Sequence, residues 1–581
     1  MADAVPRTTG RIHRFLVTVL LTAGTGAALA TTGSVPALAP SAAAVAPTEG
    51  RAGAVPHPGT ARDAGVGYAN ALAQALTGRE LPLTTREVTG TVVRVSTPDG
   101  APPRDGSATP SSRTWLVSPG GRVLVAGTGL SRVPTGALVH VRLGPAPTTR
   151  STTARRLRPE PEQAEPEQAE PERPVIGVRV VVPGEAPRAT TEVEPAHTVS
   201  IVLARTPGGR QDSMDLDTLE SAVESGASPF WSDQTAGRVR FRVVQRRNWL
   251  TTTAGCTDHF ALWNEVAQAI RFDTERARHH LLVYVGGQPR SCYAGLGTLG
   301  SSIDSGGFLY LTGAQPSLIA HELGHNLGLG HSNGLLCDRR ADGRYSTASG
   351  SWTRGCTRSS YRDHYDVMGA SWGEIGTLST FQAQRLGVLA DGQAVSTSAP
   401  LRVRLLPVSG HTGLVSLQVS DPAGGSYHVE YRPASGRDAW LADPRRNWWR
   451  LQPGVLVRRV DPGLATDSLL LDTTPSAATS RAEDFQVALG QGARLTTDSG
   501  RVGIVVEALD GTGATVTVSV DGVGPTPTVT GAAPPPHQRF PRGPAPAPGA
   551  VAPPTVPVPW SGDGGRVPPP VRVTVPPSPA R

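Results

Sequence analysis

The chain has 581 residues, 38% of them hydrophobic, with 67 Gly, 54 Pro and a formal net charge of +7. That length exceeds what one hydrophobic core fills, and so much Gly and Pro excludes a helical bundle in favour of several strand-rich units with Pro-rich connectors. The basic excess is all Arg, because no Lys occurs, and no Arg-rich block with interleaved aromatics appears, so nucleic acid is not an expected partner.

The first 30 residues read as a secretory signal peptide. Arg7, Arg11, His13 and Arg14 precede the apolar run from Phe15 to Ala30, which closes on the small-x-small triplet Ala28-Leu29-Ala30. The run is too short and too rich in Thr and Gly for a bilayer span. A second cut after Ala44-Val45-Ala46 fits the same pattern. No later stretch is apolar enough to cross a membrane, so the expected product is secreted and extracellular, with no membrane partner once the signal is removed.

Residues 31–174 are expected to be a propeptide. Positions 31–81 are mostly Ala, Pro, Gly and Thr and need not fold. Between 87 and 143 the β-branched runs EVTGTVVRVS, TWLVS, RVLVAG and ALVHVRL, separated by turn residues, predict a small all-β unit. Residues 158–174 repeat EPEQA, an acidic Pro-rich linker, and Arg155-Arg156 just before it is an exposed basic pair in an expected flexible segment, so a propeptide followed by a cleavable linker is the expectation.

A catalytic domain of mixed α/β class is expected over 175–395. Its strands are 197–204, 238–245, 280–287, a Gly-rich edge strand at 295–302, and 307–313. LDTLESAVES and HFALWNEVAQAIRF carry apolar residues at three- and four-residue spacing, as amphipathic helices do. Alternating strand and helix predicts a twisted mixed sheet with helices packed on it. Over 396–522 the helical pattern gives way to LRVRLLPV, GLVSLQVS, SYHVEYRP, VLVRRVD, VGIVVEAL and TVTVSVDG, which predict a β-sandwich. Residues 523–581 are a Pro-rich tail without periodicity, expected to be disordered.

Within the α/β segment, HELGHNLGLGH (321–331) concentrates three His and one Glu. Pro316 and Ser317 suit the start of a helix through SLIAHELGHNLG, on which His321 and His325, four apart, share a face. Gly328 permits the left-handed turn that brings His331 round. Three protein ligands with one open position describe a catalytic zinc, whereas a structural zinc has four. Glu322, beside the first ligand, is placed to act as general base and later to protonate the leaving amine. DHYDVMG (363–369) follows, with Met368 before a Gly.

Together, HExxHxxGxxH and the later Met-Gly resemble the metzincin zinc peptidases. CYAGLGTLGSS, HELGHNLGLGHS, YRDHYDVMG and GTLSTFQAQRLGVL resemble the gametolysin-like family over roughly residues 197–392. The resemblance implies zinc on His321, His325 and His331, catalysis by Glu322, a supporting methionine turn at Met368, and substrate alignment along 295–302. It also implies protein or glycoprotein substrates, including matrix or wall components. The chain departs from astacin-like and serralysin-like relatives, whose Tyr two residues after the Met is an extra ligand; Ala370 stands there, and Tyr365 precedes the Met.

Four cysteines in a secreted chain are expected to form disulfides. Three pairings exist, and sequence proximity favours Cys256 with Cys292 and Cys337 with Cys356. With no cysteine before Cys256, a cysteine-switch propeptide is excluded, so latency needs another group at the metal or a steric block. His259, His279, His280 and His364 are read as structural. Asp366 either orients a zinc histidine or caps the methionine turn. Asp212, Asp215 and Asp217 lack calcium-loop spacing and are read as helix caps; calcium is not indicated.

The sequence therefore predicts a secreted zinc endopeptidase made as a zymogen, with wall or matrix binding as the expectation for the C-terminal β-domain. The competing reading is a metzincin-fold protein that only binds, or that cleaves a non-peptide amide.

Overall fold

The computed structural model describes residues 61–96, 112–146, 172–182, 196–287, 292–371, 373–476 and 484–525. The expected signal peptide, Arg155-Arg156, most of the acidic linker and nearly all of the Pro-rich tail lie outside the described residues. The fold is mixed α/β and strand-rich, with several sheets and few helices. No helix among the described residues is long and apolar enough to cross a membrane.

The N-terminal region contributes helix α1 (Ala61–Leu76) and strands β1 (Glu87–Ser96), β2 (Ser112–Ser118), β3 (Gly121–Val125), β4 (Leu138–Leu143) and β5 (Val175–Val182). β1 to β4 fall where the β-branched runs are. α1 corrects the expectation that 31–81 need not fold: Tyr68, Ala71, Leu72, Ala75 and Leu76 form a buried helical stripe, hidden in the sequence because two of its five members are Ala. β5, the start of the segment expected to be catalytic, pairs with β4.

Next come β6 (His197–Arg205), α2 (Leu216–Ser221), α3 (Ser228–Gln234), β7 (Phe241–Thr251), α4 (His259–Ile270), β8 (His279–Val285), β9 (Gly295–Leu299), β10 (Gly307–Leu311) and α5 (Pro316–Asn326). A π-helical turn, Ala222–Ala227, joins α2 to α3. β6 runs parallel to both β7 and β8, β8 parallel to β10, and β10 antiparallel to β9. Strand alternation splits the core. Val199, Ile201 and Leu203 face α2, α3 and α5, while Val202 and Ala204 face α4 on the other side.

The N-terminal strands do not form a separate sheet. β1 pairs antiparallel with β9, giving one ten-stranded sheet with the path β3-β2-β1-β9-β10-β8-β6-β7. Val93, Val95 and Trp115 share a core with Phe260, Trp263 and Phe308.

Beyond α5 the strands are β11 (Ser332–Cys337), β12 (Tyr345–Ser346), β13 (Ser351–Trp352), β14 (Cys356–Ser359), β15 (Ala394–Thr397), β16 (Leu401–Leu405), β17 (Ser416–Ser420), β18 (Ser426–Arg432), β19 (Gly454–Val460), β20 (Ser468–Leu471), β21 (Arg494–Thr496), β22 (Val502–Asp510) and β23 (Gly513–Val520); helix α6 is Thr380–Arg385. A seven-stranded sheet, β14-β11-β20-β19-β18-β17-β15, and a four-stranded sheet, β16-β23-β22-β21, bury one common apolar core. The larger sheet draws β11 and β14 from the segment that also carries the histidines. β11, which begins directly after His331, lies parallel to β20.

Two disulfides are present, Cys256–Cys292 and Cys337–Cys356. The second joins directly opposed residues of β11 and β14.

Candidate metal centre

α5 delivers two of the three histidines. Pro316 occupies its first turn, where a missing N–H costs no helical bond. Ser317, expected to help start the helix, is buried within the first turn, and Gln315 precedes the helix without a side-chain cap. Leu318, Ile319, Leu323 and Leu327 fix the helix in the core, and the Trp231 indole N–H donates to the Ala320 carbonyl at 3.1 Å. Gly328 has φ +94°, a conformation that a Cβ opposes. There the chain leaves the helix and returns with His331.

The histidine tautomers follow from their partners. His321 Nδ1 lies 2.7 Å from the Val367 carbonyl, and His325 Nδ1 lies 2.7 Å from the Leu329 carbonyl. A carbonyl only accepts, so both Nδ1 atoms carry protons and both Nε2 atoms present lone pairs. Those two Nε2 atoms face each other at 3.1 Å. With no proton to share they repel, unless a cation lies between them. Tetrahedral bonds of about 2.0–2.1 Å set nitrogens roughly 3.3 Å apart, close to the spacing found.

His331 completes the group, all three donor nitrogens lying within 4.8 Å of one another. The cluster is buried: His321 is 8% exposed, His325 1% and His331 2%. Burial lowers the His321 imidazole to about 4 and holds His325 and His331 well below the ordinary histidine value. All three are neutral at pH 7, the form that binds a cation. The donor set fits a metal ion.

Glu322 is buried beside His321, and its Oε2 has no hydrogen-bond partner. Burial lifts its carboxyl to about 8. The carboxylate lies against the β9 backbone so closely that a Cβ on Gly295 would collide with Oε1. That contact explains the Gly-rich edge strand.

Met368 is fully buried, and its sulfur packs under Gly324, 2.5 Å from where a Cβ would stand. Asp366 caps the turn, accepting from the Met368 N–H at 2.8 Å and the Ser379 N–H at 2.7 Å. Between the two roles considered for Asp366, its bonds are those of the cap. The carbonyl of its neighbour Val367 orients His321.

The larger C-terminal sheet braces both sides of the cluster. Asp467, just before β20, accepts the His331 N–H at 3.1 Å through Oδ1, and the Asn333 amide at 3.1 Å and Arg358 at 3.3 Å through Oδ2. The Ser468 N–H donates to the His331 carbonyl at 3.0 Å. Around the turn that carries Met368, Arg458 donates to Asp363 at 2.6 Å, and Arg432 donates to the Tyr365 and Thr377 carbonyls at 3.2 and 2.7 Å. Burial pushes the Glu430 carboxyl up, but Arg458 and Arg432 outweigh it and hold it at about 2.

Sequence reasoning missed Asp467, Ser96 and Tyr361. The Tyr361 ring lies 4.4 Å from His331 and 5.7 Å from His321, centre to centre. Asp467 and Ser96 are 136 and 235 residues from His331, and no local pattern marks them. Tyr361 stands within the quoted YRDHYDVMG, yet no spacing singles it out. Tyr365 points away, its hydroxyl donating to the Gln452 carbonyl at 2.9 Å.

Three of the histidines read as structural pack against neighbouring side chains. His280 meets Asn326 and His197 in the core, His259 packs on Trp115, and His364 stacks on Trp449. Asp215 caps α2 through the Thr218 N–H, and Asp212 accepts from the Gly287 N–H and the Tyr284 hydroxyl.

No family model and no curated protein matches the chain. Among solved structures it is similar to metalloproteinase-II from Bacteroides fragilis at 14% identity, covering 35% of this chain and 56% of that one, with a TM-score of 0.20. It is also similar to a chain of a chaperone–substrate complex at 17% identity, covering 36% and 38%, with a TM-score of 0.18. The chain thus spans 56% and 38% of the length of these two chains. Likenesses this loose define neither its fold nor its chemistry, which rest on the residues above.

Proposed function

We propose that this chain is a secreted zinc endopeptidase of the metzincin type, gametolysin-like, with His321, His325 and His331 holding the ion and Glu322 moving the proton. The observation that carries this reading is the pair of unprotonated Nε2 atoms facing each other beside His331, with a partnerless carboxylate oxygen on the adjoining residue. Zinc, when bound, supplies Lewis acidity, lowering the pKa of water and polarising a carbonyl.

The protein's own groups do the rest. The Val367 and Leu329 carbonyls fix the imidazoles in one tautomer, so the site needs no reorganisation on loading. Glu322, in its carboxylate form, accepts a proton from attacking water and returns it to the departing amine. Burial excludes bulk water, which strengthens each electrostatic contact. Two disulfides agree with an oxidising, extracellular location. Proteins or glycoproteins are the substrate class under this reading.

The test compares the full chain with its Glu322→Ala variant, before and after limited trypsin treatment and trypsin inhibition. Zinc content and casein cleavage are scored. The expected result is equal zinc in both and a loss of cleavage of about 10²–10⁴-fold in E322A. Equal cleavage by the two proteins refutes the assignment.

A further inference from the structure

The strand that joins the N-terminal region to the main sheet also reaches the histidines. β1 pairs antiparallel with β9 through Arg94 with Leu299 and Val95 with Thr298. β10 holds the other edge of β9, so β1 takes the edge that an extended peptide would use for backbone pairing. One step further in the same register, Ser96 stands level with Gly297, whose Cβ position abuts Glu322. Ser96 Oγ lies 2.9 Å from His331 Nε2 in a buried contact.

β1 is firmly seated. Arg94, 1% exposed, donates to the Leu130 carbonyl at 2.7 Å and the Thr135 hydroxyl at 3.1 Å. The Tyr68 hydroxyl of α1 donates to the Leu299 carbonyl at 2.6 Å, fastening the N-terminal region to β9 itself.

We propose that β1 is a built-in occupant of the site: its backbone takes the β9 edge, and its Ser96 hydroxyl, set against His331, stands where it would fill the position on a bound ion that the three histidines leave open. An extended polypeptide is shut out until β1 is withdrawn. A thiolate cannot serve this purpose before Cys256, and a serine on a paired strand does. The inference rests on the metalloprotease reading above and adds how that site is kept closed.

The test uses the full chain loaded with cobalt(II), as parent, Ser96→Ala and Ser96→Cys. All four native cysteines are in disulfides, so a thiolate-to-cobalt absorption band in S96C has one source. Expected are that band in S96C, with slower release of cobalt to 1,10-phenanthroline, and release from S96A faster than parent by about tenfold or more. Thermal melting checks that both variants fold, and the S96C band decides alone if S96A does not. One cobalt per chain with no band and unchanged release overturns the proposal and leaves the metal site standing. No cobalt uptake by the parent overturns the metal reading, and this inference with it.

Discussion

Asp467 holds the backbone of His331 with one oxygen and ties Asn333 and Arg358 with the other, so a carboxylate just before β20 sets where His331 sits. The effect on a metal is indirect, through the ligand's position. Replacing it by Asn keeps the shape but turns one acceptor into a donor, which opposes either the His331 N–H or Arg358. Outer partners of this kind typically change metal affinity 10–100-fold. Zinc competition against a chelator is expected to show D467N weaker by about that factor, with the same three histidines still binding. Equal affinity in D467N and parent contradicts the bracing role. Nothing near Asp467 in the chain signals it, since its partners arrive only when β20 lies beside β11.

Helix α5 illustrates what a sequence carries at the level of an element. The four-residue spacing of His321 and His325, the Pro316 start and the Gly328 exit are local, and each stands where the pattern puts it. The disulfides were legible for the same reason, because proximity in sequence favoured each pair. α1 and β20 were not. α1 shows its stripe only when Ala is counted as apolar, and β20 is four residues long. The Cys337–Cys356 bridge closes a short loop between β11 and β14, separated by 19 residues. Replacing both by Ser is expected to lower stability by about 3 kcal/mol in urea titration. A change below about 0.5 kcal/mol contradicts the loop-closure account.

At the scale of the whole molecule, hydrophobic pattern marked most strands but not their partners. The run at 87–96 is visibly a strand, yet its pairing with β9 across some two hundred residues depends on which edge is left open, a tertiary choice. The same burial that builds these layers makes the fold sensitive to acid. Burial lowers His259 to about 3, and His280, His364 and His428 to about 4, from 6.5. Unfolded, these groups take protons below pH 6.5; folded, they do not until near pH 4. The unfolded state then binds more protons, so their contribution is present above pH 6.5 and is lost as pH falls toward 4. Each group adds a slope of up to about 1.4 kcal/mol per pH unit. Melting in EDTA at pH 7.5, 5.5 and 4.5 is expected to fall steeply across that window; a flat profile contradicts neutral burial.

The central claim is that three buried imidazoles hold one metal ion. Zinc K-edge X-ray absorption on the full chain tests it directly. The expected result is one zinc per chain with a shell of nitrogen or oxygen at about 2.0–2.1 Å and the outer scattering of three imidazoles. No retained zinc, or a shell without imidazole scattering, contradicts it.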